Sequence, residues 1–224
     1  TVDGVIEPAV FSDPAMEKAI RETLGVSESH IIYTNVLWSI SEFTVPESAK
    51  NLDDLTLLSR LTSLTIQNQK LDSLEGLSSL SKLEKLNLTG SNFPAEELAV
   101  IAKLPSLREL NLSNCGLSTI ADLDGASSLT VLNLASNTLR NLEVIGHMSA
   151  LTELNLKHNA VTDLSALSSL RNLETLDLSY NSITDLSPLA NCQKLKTLDA
   201  GNNSISQISG VDSLVLLTSL SLDY

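Results

Sequence analysis

The side chains that most often carry catalysis or bind metals are few and scattered in this sequence. Its three histidines, His30, His147 and His158, are isolated, and none has a second histidine or a cysteine nearby. The sequence contains no G-x-S-x-G, H-E-x-x-H, P-loop or G-x-G-x-x-G motif. Serine is abundant, but it falls at turn positions. We therefore predict a protein that is not an enzyme and that uses no metal or cofactor.

Side-chain amides recur at regular positions instead. Asn137, Asn159, Asn181 and Asn203 are 22 residues apart, and each follows a pair of apolar residues with strand-like spacing. An amide has two donors and an acceptor, so it can satisfy backbone groups that a turn leaves without partners. At this position, which we call the asparagine slot, earlier parts of the chain have Cys115 and two weaker fits, Gln69 and Ser91.

The asparagine slot belongs to a repeat that fills most of the chain. Copies begin at Leu61, Leu83, Leu107, Leu129, Leu151, Leu173 and Leu195, and a partial eighth copy begins at Leu217. The starts are 22 residues apart except for one 24-residue step. This is the leucine-rich repeat pattern L-x-x-L-x-L-x-x-N/C-x-L. It predicts an α/β leucine-rich repeat solenoid, with one short strand per copy and a curved parallel sheet on its concave face.

The return segment of each copy predicts the convex face. Its apolar residues recur at gaps of three, as at Ile183, Leu186 and Leu189, which is typical of 3-10 or extended turns. The 24-residue copy differs, because "NFPAEELAVIAK" from Asn92 has the proline, acidic first turn and terminal lysine of a short α-helix.

The same repeat spacing tests whether the two cysteines can be joined. Cys115 and Cys192 belong to the third and sixth full copies. With strands about 4.8 Å apart, their separation is at least about 14 Å, whereas a disulfide needs Cα atoms within about 7 Å. We predict two free, buried and inert thiols.

Residues 1–60 differ from the repeat and predict an N-terminal helical cap with a degenerate first repeat, followed by the solenoid over residues 61–224. In "FSDPAMEKAIRETLG", Asp13 is the expected helix cap, Pro14 the first helical residue and Gly25 the stop. A solenoid needs such a cover over its core. The alternative is an independent functional domain.

The outward positions of the strands form the predicted recognition surface. They carry amides and acids with few aromatics, so they suit a protein with a basic surface, or a carbohydrate. Alternatively, stacked asparagines bond along the sheet as a ladder and keep it soluble. The candidate contacts are Asn111, Asn133, Glu153, Asn155, Lys157, His158, Asp177, Ser179, Tyr180 and Asp199.

Charge and hydropathy exclude other partner classes. The net charge is −13, with 14 basic and 27 acidic residues, which argues against nucleic acid and anionic membranes as partners. No apolar run is long enough for a transmembrane helix, so we expect no membrane insertion. Because the sequence stops inside the strand of the eighth copy, we expect the natural chain to continue beyond Tyr224.

The cap and the repeats together resemble the internalin-type leucine-rich repeat proteins of Gram-positive bacteria. The resemblance covers nearly the whole chain, and "NSITDLSPLANCQKLKTLD" is its nearest stretch. It implies a secreted or wall-attached protein that binds host or surface ligands through the concave sheet. Members that grip host receptors display more aromatics than this face does. The same repeat class also occurs in cytosolic regulatory scaffolds.

Two functions therefore stand as hypotheses. The first is a surface recognition module that binds a partner on the concave face. The second is a rigid spacer that presents other domains of a longer polypeptide. Bulky residues in place of Asn155 and Asp177 should abolish binding in the first case and change nothing in the second.

Overall fold

The structure is a computed structural model, and it describes residues 5–223. Tyr224 lies outside this range. In the described part, nine short parallel strands form one open sheet in sequence order, each strand pairing with the next in register. The strands are β1 Glu42–Thr44, β2 Ser63–Thr65, β3 Lys85–Asn87, β4 Glu109–Asn111, β5 Val131–Asn133, β6 Glu153–Asn155, β7 Thr175–Asp177, β8 Thr197–Asp199 and β9 Ser219–Ser221.

Short 3-10 helices occupy the opposite, convex side, as predicted. The gap of three between apolar residues matches three residues per turn, so these residues all face the core. The 3-10 helices are Asp53–Leu57, Glu75–Leu77, Ala95–Glu97, Ala121–Leu123, Glu143–His147, Ser165–Ser169, Ser187–Asn191 and Val211–Ser213. The predicted leucine-rich repeat solenoid is therefore confirmed.

Three α-helices lie among the described residues: α1 Pro14–Leu24, α2 Thr34–Leu37 and α3 Leu98–Ala102. The helix expected in the 24-residue copy is confirmed as α3, although Pro94 precedes a 3-10 turn that then continues into it. Helix α2 was not predicted, and its four residues give no periodic signal.

Helix α1 forms the N-terminal cap as its sequence predicts. The Asp13 carboxylate accepts hydrogen bonds from the backbone N–H groups of Ala15 and Met16, and Gly25 ends the helix with φ 67°. A second buried carboxylate, Asp54, accepts from Ser12 and from the backbone N–H of Asp13, which joins the cap to the first coil. Strand β1 lies before residue 60 and continues the same sheet, so the division of the chain at that residue remains a prediction.

The core is a stack of inward leucines. Leu176 and Leu198 are each 1% exposed, because the next coil covers each of them. Leu220, in the last strand of the described sheet, is 44% exposed. Each coil therefore depends on its neighbour for burial, which is how solenoids gain stability.

The asparagine slot fixes the spacing between coils. Asn137 donates its amide hydrogens to the carbonyls of Leu112 and Leu134 at 2.9 Å and accepts from the N–H groups of Cys115 and Leu117. Asn159, Asn181 and Asn203 repeat both donated bonds, and each accepts one N–H, from Leu139, Val161 and Ile183 respectively.

The other residues of the slot keep part of the asparagine pattern. Gln69 Nε2, Ser91 Oγ and Cys115 Sγ each donate to a carbonyl of the preceding coil, at 3.0 to 3.2 Å, and Ser91 Oγ also accepts from the Gln69 N–H at 3.2 Å. Each of these residues therefore donates toward the preceding coil, and an asparagine combines two donated bonds with an accepted one.

Candidate functional site

The strand register brings five of the ten predicted contacts into one line across the concave face. We call this line the central column. Asn111, Asn133, Asn155, Asp177 and Asp199 are direct partners on successive strands, each partly exposed. The column consists of Thr65, Asn87, Asn111, Asn133, Asn155, Asp177, Asp199 and Ser221.

Each asparagine and aspartate of the central column is held by its own strand. Asn133 Oδ1 accepts the backbone N–H of Ala135 at 3.0 Å, and Asp177 Oδ1 accepts that of Ser179 at 2.9 Å. The other members make the same bond two residues along the chain, at 2.9 to 3.0 Å. Both residue types fit, because the bond needs only one side-chain oxygen.

These bonds differ from the alternative in which stacked asparagines bond to one another along the sheet. Among residues 5–223, the hydrogen bonds of the column's Asn and Asp side chains run along their own strand and none joins two members of the column. The second polar atom of each side chain therefore differs in kind: it is a neutral amide donor in Asn111, Asn133 and Asn155, and a carboxylate oxygen in Asp177 and Asp199. The column changes from donors to anionic acceptors along the solenoid.

Ser179 was predicted as a ligand contact, but the structure buries it to 3% exposure. Its hydroxyl donates to Asp177 Oδ1 at 2.6 Å. The expected direct contact is therefore wrong for Ser179, which instead holds the Asp177 carboxylate in place.

His158 and Tyr180 form a stacked aromatic pair beside the column. Their ring centroids are 4.1 Å apart at an interplanar angle of 23°, and Tyr180 is 45% exposed. Lys157 Nζ lies 5.5 Å from the centroid of the Tyr180 ring, within cation–π range. All three residues were predicted contacts, but the stacking of the two rings was not predicted. Their 22-residue spacing, which places them at equal positions of adjacent coils, was the available signal.

The stacked pair occupies a backbone position that usually suits smaller residues. His158 has φ 52° and Tyr180 has φ 58°, in the left-handed region. Other coils place Asn114, Ser136 and Asn202 at this position, with φ of 54° to 58°. A bulky side chain is uncommon in this conformation.

Charged residues flank the central column in two ion pairs. Lys85 and Glu109 approach to 3.0 Å on β3 and β4. Lys196 donates to Glu174 at 2.6 Å, and this hydrogen bond and charge hold the pKa of Glu174 below its ordinary value. Glu153, another predicted contact, is exposed on β6 between Val131 and Thr175. A shallow depression of about 370 Å³ lies over β2 to β5.

The two thiols lie inside the core. Cys115 and Cys192 are free and buried, as predicted, and burial raises the pKa of each thiol to about 11. Residues 5–223 contain no cluster of His, Cys, Asp and Glu suited to a metal ion. In the same part of the chain, no helix has the length and apolar character needed to cross a membrane.

Family models match two parts of the solenoid. One described as Leucine Rich repeats (2 copies) covers residues 149–191, and one described as Leucine Rich Repeat covers residues 106–124. No curated protein matches the chain significantly.

Solved structures share the whole architecture. Internalin C2 of Listeria monocytogenes has a TM-score of 0.86 and 28% identity, over 98% of this chain and 98% of that chain. Internalin F of the same organism has a TM-score of 0.79 and 24% identity, over 99% of this chain and 73% of that one. TLR13 in a complex with ssRNA13 has a TM-score of 0.68 and 26% identity, over 84% of this chain and 29% of that one. The predicted resemblance to internalin-type leucine-rich repeat proteins is confirmed.

Proposed function

We propose that this chain is the interaction module of a bacterial surface or secreted protein, and that it binds a protein partner on its concave face. The observation that carries this proposal is the fixed central column. Its Asn and Asp side chains are held by bonds of 2.9 to 3.0 Å to their own backbone. Side chains that are already ordered lose little conformational entropy when a partner binds.

The sheet beneath the column is equally rigid. Buried leucines on each strand pack against those of the next coil, and the asparagine slots bond each coil to the one before it. A rigid, concave, polar surface of this extent suits recognition of a large partner better than binding of a small molecule, which needs an enclosed pocket.

A protein is the partner class that the surface favours. The internalin-like neighbours support a protein ligand, and a carbohydrate is the alternative for a face lined with amides. Leucine-rich repeat solenoids of this kind are generally non-enzymatic scaffolds, and we extend that role to this chain. TLR13 forms a complex with RNA, but the net charge of −13 disfavours nucleic acid here.

Blocking the concave face tests the proposal. The immobilised chain is exposed to surface and secreted proteins of host and bacterial origin, and the retained proteins are compared between variants. Tryptophan at both Asn155 and Asp177 should remove a genuine partner while the circular dichroism spectrum stays unchanged. A second blocking variant places tryptophan at Glu153 and Thr175, two exposed residues on β6 and β7, so the result does not depend on the backbone bonds of the column.

The matched control carries tryptophan at two exposed residues of the convex face, Glu75 and Asp122. It should keep every partner that the unmodified chain retains. A partner that survives both concave variants but not the convex one would place binding on the other face. Equal retention by all variants would favour a rigid spacer.

The compartment is tested separately. Protease treatment of intact cells that express the full-length protein should degrade it if it is wall-attached, and a secreted form should appear in the medium. Protection from protease together with absence from the medium would favour an intracellular regulatory scaffold.

A further inference from the structure

Asp177 and Asp199 form an acidic pair without a counter-charge. They are direct partners on the parallel strands β7 and β8, whose spacing is about 4.8 Å. Like charges directly opposite on a sheet are unfavourable. Within residues 5–223, the ion pairs Lys85–Glu109 and Lys196–Glu174 neutralise other parts of this face, and neither Asp177 nor Asp199 belongs to an ion pair.

The basic residue just after the neighbouring strand β6 forms no ion pair with these acids. Lys157 follows Asn155, the register partner of Asp177, but its ammonium lies over the Tyr180 ring. The Asp177 carboxylate is instead fixed by Ser179 through one oxygen, at 2.9 Å from N–H and 2.6 Å from the hydroxyl. Its other oxygen accepts no hydrogen bond from residues 5–223.

The stacked aromatic pair lies beside this acid. Tyr180 is three residues from Asp177 and 45% exposed, with His158 packed at 4.1 Å. Tyrosine is among the residues that most often dominate binding energy at interfaces. An ordered aromatic wall next to an unpaired carboxylate pair offers both the apolar contact and the charge that a long basic side chain can use.

We infer that the C-terminal half of the concave face binds a basic segment of a protein partner, with an arginine or lysine between Asp177 and Asp199 and its aliphatic stem against Tyr180. This inference rests on the proposed function and narrows its partner class. Charge complementarity is the argument, since the overall charge of −13 also attracts a cationic partner. The N-terminal half of the column, with neutral amides, has no such preference.

A defined probe tests the inference. An isotope-labelled chain is titrated with a peptide of alternating arginine and glycine, and amide chemical shifts map the contact. The control peptide replaces every arginine by citrulline, which keeps the shape and removes the charge. We expect shifts confined to β6–β8 and to the residues after them, weakening with added salt because charge–charge attraction is screened.

Residues at equivalent positions of other coils indicate which conservative substitutions to test. Asp177→Asn with Asp199→Asn keeps the oxygen that bonds the backbone, as Asn133 and Asn155 do in other coils. We expect the Kd for the arginine peptide to rise about tenfold or more, which corresponds to about 1.4 kcal/mol. Tyr180→Asn, which matches Asn114 and Asn202 at the same position, should raise it several-fold.

A convex variant controls for net charge. Glu75→Gln with Asp122→Asn removes the same two charges from the other face, and it should change the Kd by less than about twofold because distant surface charges are screened. An equal loss of affinity in both double variants would overturn the inference, as would shifts on the convex side or equal binding of the citrulline peptide.

The partner found in the blocking experiment separates the two proposals. If the tryptophan variants lose that partner while Asp177→Asn with Asp199→Asn keeps it, the concave-face function stands and the basic-segment inference fails. If the retained partner is bound through a glycan, binding on the concave face stands, but the protein partner class and the basic-segment inference both fail. If neither the tryptophan variants nor Asp177→Asn with Asp199→Asn lose the partner, the proposed concave-face function fails, and the basic-segment inference fails with it.

Discussion

Substitution of Asn137 tests whether the asparagine slot carries the stability of the solenoid. Asn137→Ala removes the partner of the Cys115 and Leu117 N–H groups and of the Leu112 carbonyl. The carbonyl of Leu134 keeps a bond from Asn159. Three buried backbone groups are thus left without partners within the described part of the chain.

The expected loss of unfolding free energy follows from these three unpartnered groups. A buried polar group that loses its partner costs about 1–3 kcal/mol, and water entering the vacated space reduces the sum. We expect Asn137→Ala to lower the free energy of unfolding by about 3–5 kcal/mol. Asn137→Ser should cost less, because Ser91 in the same slot donates to the preceding coil at 3.0 Å.

Asn133→Ala is the matched control, four residues away on the concave face. It removes one hydrogen bond, to the N–H of Ala135 at 3.0 Å, in a partly exposed setting. Its expected cost is about 0.5–1.5 kcal/mol.

Urea unfolding, followed by the fluorescence of Trp38 in the cap and by far-UV circular dichroism, measures all three variants. The two signals must coincide, because a solenoid can unfold in parts. If Asn137→Ala costs no more than Asn133→Ala, the slot is not the main polar contributor to coil stacking and our reasoning is wrong.

Three further predictions concern titratable groups. Burial opposes ionisation of Asp13, but backbone hydrogen bonds outweigh it and lower the pKa of this carboxyl. Asp13→Ala should therefore cost about 1–2 kcal/mol of unfolding free energy, fully present above about pH 4 and lost as the pH falls through the lowered pKa; equal acid sensitivity of both chains would contradict this. Cys115 and Cys192, with a pKa of about 11, should react with a thiol reagent at neutral pH only after unfolding, and a fast native reaction would disprove their burial. The His147 ring bonds the Asp124 carboxylate at 2.9 Å, which raises the pKa of His147 and lowers that of Asp124. This pair favours the folded state below the ordinary histidine pKa and loses that effect as the pH rises through the raised value; Asp124→Asn should lower the His147 pKa in an NMR titration, and an unchanged titration would refute the pairing.

The fold was largely predictable because its information is local and repeated. Leucine spacing predicted the strands and the convex turns, and the Asp13–Pro14 start and Gly25 stop predicted α1. The residues in the seven asparagine slots differ in type, yet each donates a hydrogen bond to a carbonyl of the preceding coil. All of these side chains have a donor group, and this shared property explains the contact.

The candidate site was less predictable, because it depends on backbone angles just after each strand. A ladder of asparagine bonds along the sheet was one alternative, but the observed bonds go to the N–H two residues ahead on the same strand. Ser179 is buried, and the ring of Tyr180, a residue in the left-handed region, stacks on His158. Residue spacing identifies the coil position but not these local directions.

The identical polar contact at every asparagine slot also limits how the chain can change in length. Removal of one whole 22-residue copy, such as the one that begins at Leu151, leaves each remaining slot facing a carbonyl of the same kind. A deletion that is not a whole number of copies breaks that match and exposes leucines. The row of amides on the concave face can therefore change in length only in steps of one strand, about 4.8 Å. Gain or loss of whole copies would then adjust the chain to partners of different size while each contact surface stays intact.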